Sequence, residues 1–224
     1  MAYTDYTYLD SDDASLRVYP TTPETIKPRS INVEILQPTL TTVTNDLTTQ
    51  RRSLGVHRIE IEYTYPAMTF EQLQPFVAFF TAMQGQAKAF KLKVPKELIN
   101  DTQHITDGDV HTVTTGYAKG IKEVVVNNFG NSLDPAIKGG NFIQFNNHDK
   151  IYVVAANGIS HTDGTCKIRF EPALLEAVTS STTLNTFNED IPFHVIFDSS
   201  AIKFDVDSAL LYGFKIKFTE QWKN

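Results

Sequence analysis

Two stretches of the chain share one grammar of alternating apolar and polar positions. In residues 54–65, Ile59, Ile61, Tyr63 and Tyr65 fall on one face, and Arg58, Glu60, Glu62 and Thr64 on the other. In residues 212–222, Tyr212, Phe214, Ile216, Phe218 and Trp222 oppose Gly213, Lys215, Lys217 and Thr219, and only Glu220 interrupts the apolar face. A period of two over this length predicts long antiparallel strands with one buried and one solvated face. The interval between the two stretches is too long for a connection, so it predicts a second folding unit. Ile31, Val33 and Ile35 alternate within residues 31–43 and predict a first strand. The polar stretch from Asn45 to Ser53, with Thr48, Thr49, Gln50, Arg51 and Arg52, then joins two β-patterned runs and predicts a long hairpin loop. Arg51 and Arg52 read as an interface or solvated pair rather than an anion site.

One helix is expected. Thr69 followed by Gln72 fits a capping box, and Leu73, Phe76, Val77, Phe80 and Met83 form a stripe at helical spacing that stops at Gly85. Pro75 conflicts with it, because a proline there removes a helical hydrogen bond, so the regular helix either starts nearer Pro75 or has a kinked first turn. Phe90, Leu92 and Val94 resume alternation until Pro95. From there to about residue 200 come short β runs at 121–126, 142–145, 150–155, 166–170 and 193–197. The turn sequences Gly139–Gly140, Asn146–Asp149, Asn157–Gly158 and Asp163–Gly164 separate several of them. That spacing predicts a small antiparallel barrel or sandwich. Leu174, Leu175, Ala177 and Val178 fit a turn of helix after Pro172. Residues 201–206 alternate again and lead into the last strand. The resulting division is an N-terminal arm over 1–27, a mainly β domain from 28–95 plus 200–224, and an inserted β-barrel domain over 96–199. Deletion of the insert is expected to leave a folded domain, and limited proteolysis is expected to cut near 96–120, where Asn100 to Gly120 is polar and poor in apolar residues. The arm is too polar to fold alone and is expected to lie on a neighbour or fray.

Composition narrows the function. The 224 residues carry 41% hydrophobic positions with 15 Phe and 9 Tyr, enough for a core of bulky strand-forming side chains. A net charge of −6 argues against nucleic acid as a specific partner. Neither a secretion signal nor an apolar run long enough to span a membrane is seen, so neither a membrane partner nor export is expected. Cys166, the single cysteine, excludes an internal disulfide and reads as a packed thiol. Asp10, Asp12 and Asp13 lack the glycine and later glutamate of a calcium loop and read as an acidic turn. None of His57, His104, His111, His148, His161 and His194 pairs at metal-ligand spacing. His104 and His111 flank Asp107 and Asp109, which reads as a hydrophilic loop in preference to a metal site. Phosphate loops, nucleophile elbows and Cys-x-x-Cys pairs are missing too, so no catalytic, cofactor-binding or metal residues are assigned and no enzyme is expected.

Residues 28–40 (Pro-x-x-Ile-Asn-Val-Glu-Ile-Leu-Gln-Pro-Thr-Leu), the Gln50-Arg51-Arg52 loop, His57-Arg-Ile-Glu-Ile-Glu-Tyr63, the helix and Gln84-Gly-Gln-Ala-Lys-Ala-Phe90 follow one another in an order that resembles tail-tip proteins of long-tailed bacteriophages. Residues 137–145, 150–154 and 164–172 are similar to segments of phage tail proteins. Within that group the chain most resembles the distal tail protein family. The resemblance implies a split β-barrel with one flanking helix, forming a hexameric ring between the tail tube and the tip or baseplate hub. It also implies a virion location after assembly in the host bacterial cytoplasm, with the tail tube protein and the hub or tip proteins as partners. Thr48, Thr49, Gln50, Arg51 and Arg52 are then candidate interface residues, because a long hairpin can reach past one subunit and pair with the next.

Two other functions stay open. The insert could be a carbohydrate-binding module for host-surface polysaccharide, with Tyr117, Phe129 and Tyr152 as candidate stacking platforms, although Tyr152 reads better as a core residue. A glycosidase would need carboxylates converging from separate strands.

Overall fold

The computed structural model describes residue 19, residues 27–95, residue 100, and residues 110–186 and 191–222. The chain is mainly β, 43% strand against 9% helix, with curled, nearly closed barrel-like sheets. In chain order the first strands are β1 (Ser30–Leu36), β2 (Thr39–Val43), β3 (Thr49–Ser53), β4 (Arg58–Thr64) and, after helix α1 (Phe70–Ala82), β5 (Phe90–Val94). Then come β6 (His111–Thr112), β7 (Glu123–Val126), β8 (Phe142–Phe145), β9 (Ile151–Val154), β10 (Cys166–Glu171) and β11 (Thr183–Asn185). The last three are β12 (Ile191–Phe197), β13 (Phe204–Val206) and β14 (Tyr212–Glu220). The chain divides into two compact units, one of Met1–Leu36, Arg58–Lys93 and Pro192–Gln221, the other of Gln37–His57, Val94–Ile191 and Trp222–Asn224.

The first unit is built on the two stretches that share the alternating pattern. β4 and β14 lie side by side, antiparallel, with Ile61 opposite Phe218 and Tyr63 opposite Ile216. The sheet runs β1-β4-β14-β12-β5, and β13 pairs with the start of β14. β12 belongs here, so the insert ends ahead of it rather than at 199. Its alternation, with Ile191, Phe193, Val195 and Phe197 all buried, is that of a strand facing this sheet's core.

Helix α1 lays its stripe on the apolar face of the sheet, with Phe76 against Tyr65 and Phe214, and Phe79 and Phe80 against Phe90 and Phe197. The helix starts at Phe70, not near Pro75. Its first turn is fixed by the Thr69 N–H donating to Gln72 Oε1 at 2.9 Å, and Pro75 sits inside without the N–H that would reach the Glu71 carbonyl. Tyr19 departs from the expectation for the arm. Its ring is buried among Tyr63, Phe76, Phe79, Phe90 and Phe218, and its N–H donates to the Lys91 carbonyl at 2.8 Å. This residue of the arm therefore lies in its own chain's core.

The second unit holds a sheet in the order β6-β11-β8-β9-β10-β7. A bridge between Val113 and Val126 joins its two ends, flanked by Thr114 N–H to Val125 O at 3.0 Å and Asn127 N–H to Thr112 O at 2.8 Å. The sheet thereby curls into a barrel filled by Val124, Ile143, Phe145, Tyr152, Ile168 and Phe170. Residues 110–120, where cleavage is expected, are paired into this barrel through β6, the Val113–Val126 and Tyr117–Val178 bridges and Gly120 N–H to Leu174 O. Asn100, at the start of that polar stretch, is anchored through its side-chain amide to Phe142 N and O and to Thr186 O. Residues 174–178 are not helical. Leu174 N–H donates to Ile121 O and Val178 bridges Tyr117, which spends their backbone groups on pairing with distant segments of the same chain.

Candidate functional site

The residues expected at a hairpin tip lie elsewhere in the hairpin. Thr49, Gln50, Arg51 and Arg52 are strand residues of β3, paired with Val43, Thr42, Thr41 and Leu40 of β2. The tip is Asn45–Leu47, and Thr48 closes it. Thr44 N–H donates to Thr48 O at 3.0 Å, Leu47 N–H to Thr44 O at 2.9 Å and Thr48 N–H to Asp46 Oδ1 at 3.2 Å. The hydroxyls of Thr44 and Thr48 also donate to Asp46 and hold its carboxyl down at about 2. The turn is thus locked by an aspartate whose acceptors are satisfied locally.

All ten residues of β2 and β3 are exposed, on both faces of the ribbon. Leu40 and Val43 on β2, and Leu54 and Val56 just past β3, are exposed apolar side chains, and Leu47 at the tip is 84% exposed with a φ of +64°. A leucine in the left-handed region costs roughly 1–2 kcal/mol, so the locked turn holds a large apolar side chain outward against a backbone preference. Arg51 and Arg52 are consecutive on one strand and therefore point to opposite faces. Neither has a carboxylate partner among the described residues.

The other candidates resolve into structure. Tyr152 is 0% exposed, and its hydroxyl accepts Leu175 N–H at 3.0 Å and bonds His148 Nε2 at 2.7 Å. Phe129 is buried under a stacked His111 ring, centroids 4.2 Å apart. Tyr117 is half-buried, with its hydroxyl accepting Val125 N–H at 3.0 Å. The aromatics named as sugar platforms are therefore core and barrel-wall residues. His111 is likewise a packed ring rather than part of a loop, whereas His104, Asp107 and Asp109, like Asp10, Asp12 and Asp13, lie outside the described residues. Among the described residues no group of three His, Cys, Asp or Glu side chains could hold a metal ion. Cys166 is buried, and burial raises its thiol to about 11. No helix among the described residues is long and apolar enough to cross a membrane.

One cluster escaped the sequence reading. Lys150 is 1% exposed; its ammonium donates to the His57 carbonyl at 3.1 Å and sits 4.3 Å from the centroid of the Trp222 ring. Trp222 thus lies beyond the end of β14 and carries a cation–π contact, not a place on the strand's apolar face. His57 Nε2 bonds the Ile151 carbonyl at 3.1 Å, which places its proton on that nitrogen and leaves Nδ1 without a hydrogen-bond partner. Burial and the Lys150 charge lower its pKa to about 4. In the sequence, a lysine before Ile-Tyr-Val-Val carries no sign of this role.

The chain matches no protein-family model, and no curated protein matches it in sequence.

Proposed function

We propose that this chain is a structural subunit of a bacteriophage tail, assembling with copies of itself into a ring, hexameric in the family it resembles, that joins the tail tube to the tip or baseplate hub. The observation that carries this reading is the β2–β3 hairpin. An exposed two-stranded ribbon with apolar residues on show and two arginines that lack carboxylate partners among the described residues gains little from its own burial. Such a ribbon gains stability when a neighbour covers it, and free strand edges invite that pairing. A heterologous contact repeated around an axis closes into a ring. The motif order over residues 28–222 points to the same architecture. The carbohydrate-binding alternative loses its sequence argument with the burial of Phe129 and Tyr152.

Negative-stain microscopy of concentrated purified protein, with light scattering for mass, tests the proposal. Rings with a central lumen are expected. A strictly monomeric mass, with no ring of this protein in assembled tails, would overturn it.

A further inference from the structure

The tip of the β2–β3 hairpin and the turn between β13 and β14 are one structure built twice. In the first, Thr44 N–H donates to Thr48 O and Leu47 N–H to Thr44 O; in the second, Asp207 N–H donates to Leu211 O at 3.0 Å and Leu210 N–H to Asp207 O at 3.1 Å. An aspartate closes each turn: Asp46 Oδ1 accepts Thr48 N–H, and Asp207 Oδ1 accepts Ala209 and Leu211 N–H, both at 2.9 Å. The fourth residue of each is left-handed, Leu47 at φ +64° and Leu210 at +58°. Glycine takes that conformation freely, and asparagine or aspartate at small cost. Asn45 and Asp46 stand in the first turn, but ahead of the position that needs them. That position holds a leucine, and at 84% exposed it is covered less by its own chain than any other large apolar side chain among the described residues. Backbone strain that the isolated chain does not use points to a use outside it. The net charge of the ribbon bears on the partner. Residues 37–56 hold two arginines and one aspartate, a net +1 in a chain of net charge −6, which leaves −7 on the rest. A basic ribbon is drawn to the acidic body of a second copy. Charge steers the encounter, and burial of an apolar side chain holds it.

We propose that Leu47 is the anchor of the contact between copies: its side chain, set outward by the left-handed turn, is buried against a second copy of this chain. This rests on the ring reading above and deepens it by naming the residue that carries the contact. The turn presents the leucine already fixed in place, so little backbone freedom is lost when the copies meet. The strain is the cost of that fixed presentation, and relief of the strain and loss of the anchor then go together in one substitution.

Sedimentation of the full chain and urea melts of the dilute protein test it together. Leu47→Asn is expected to keep or raise the urea midpoint, because asparagine fits the turn, and to weaken self-association by about tenfold or more. Leu47→Met keeps an apolar side chain on the same backbone and is expected to associate within about threefold of the unmodified protein. Leu210→Asn, the same relief in the other turn, calibrates the backbone effect in the melts. A midpoint that falls with Leu47→Asn would make the leucine a support of its own hairpin and overturn the proposal. If the unmodified protein self-associates and Leu47→Asn does so equally, Leu47 is not the anchor and the ring reading stands. If the unmodified protein is monomeric at millimolar concentration and forms no ring in assembled tails, both fall. If it forms a ring only there, tails assembled with Leu47→Asn are the readout: a full ring overturns the anchor, and loss of the ring supports it.

Discussion

The carboxylate of Glu220 accepts the backbone N–H of Ile59 at 3.1 Å. The ladder between β4 and β14 ends one pair earlier, at Glu60 and Thr219, so Ile59 takes a side-chain acceptor where a carbonyl would have stood. This is why the apolar face of β14 is broken by an acid: Glu220, 3% exposed, closes a strand end inside the core. Glu220→Leu keeps the bulk and removes the acceptor, leaving a buried N–H unpaired, and is expected to cost about 1–3 kcal/mol. Glu220→Gln retains an oxygen and should cost less. Urea melts compare them; equal midpoints would show that the bond contributes nothing.

How far the chain could be read depends on whether its signals were local. The alternation of β4 and β14 and the stripe of α1 are local patterns, each set by one face meeting one core, and they appear where the pattern puts them. The class, mainly β with one flanking helix among the described residues, follows from those runs. β3 was missed because Thr49–Ser53 has no apolar alternation, both faces being exposed, and a strand without a buried face has no hydrophobic period. β6 and β11 are two and three residues long, too short to show a period at all. Whether β12 joins the first sheet, and whether Tyr19 or Trp222 packs where it does, depends on pairings between residues far apart in sequence, which no window reports. The interface candidates Thr48–Arg52 were found through their polarity, yet their setting differs: they form the side of the hairpin, and the apolar Leu47 is its tip.

Lys215 and Lys217 look equivalent on the solvated face of β14 but differ in their partners. Lys215 is 61% exposed at its side chain and pairs with Glu62 at 3.0 Å. Lys217 pairs with Glu60, which is 5% exposed and also takes Arg58 at 2.8 Å. Glu60 was expected on the wet face; instead the two cations cover it, and opposing its burial, their hydrogen bonds hold its pKa below the usual value. Lys215→Ala should be neutral within about 0.5 kcal/mol. Lys217→Ala should cost about 1 kcal/mol or more, because it strips a nearly buried carboxylate of one partner. Chemical denaturation of the pair decides; two equally silent substitutions would refute the difference.

Cys166 should be inert in the folded protein. Its thiol is buried and raised to about 11, by burial, so the thiolate is scarce near neutral pH. Alkylation at pH 8 should be undetectable over hours under native conditions and complete within minutes in denaturant, followed by intact mass. Rapid native labelling would mean that β10 opens readily.

Gly164 sits at φ +75° after Asp163, and a Cβ there would come 2.7 Å from the Phe129 carbonyl oxygen. The obstacle is backbone, which cannot swing aside, and the left-handed conformation adds its own strain. Gly164→Ala is expected to cost roughly 2–3 kcal/mol. By contrast Gly55, also at positive φ, has open space around its Cβ position, so Gly55→Ala meets only the conformational term, about 1 kcal/mol. Thermal melts should rank the two in that order.

His57 makes stability depend on pH. Its folded pKa of about 4 lies below the ordinary 6.5, first because of burial and then because of the charge on Lys150. A base held neutral in the fold binds a proton more readily once unfolded, so its contribution is complete above about pH 6.5 and is lost as pH falls from there towards 4. The full span corresponds to about 3 kcal/mol, an upper figure because partial opening lets water reach the ring. Among the described residues a proton on Nδ1 would find no acceptor in place, and the Lys150 ammonium is nearby. His57→Gln can keep a donor to the Ile151 carbonyl and does not titrate. Urea midpoints measured at pH 7.5 and pH 4.5 should fall further for the unmodified protein than for His57→Gln, by a margin of about 2 kcal/mol. Identical falls in the two proteins would show that other groups carry the acid sensitivity and that His57 accepts a proton without opening the fold.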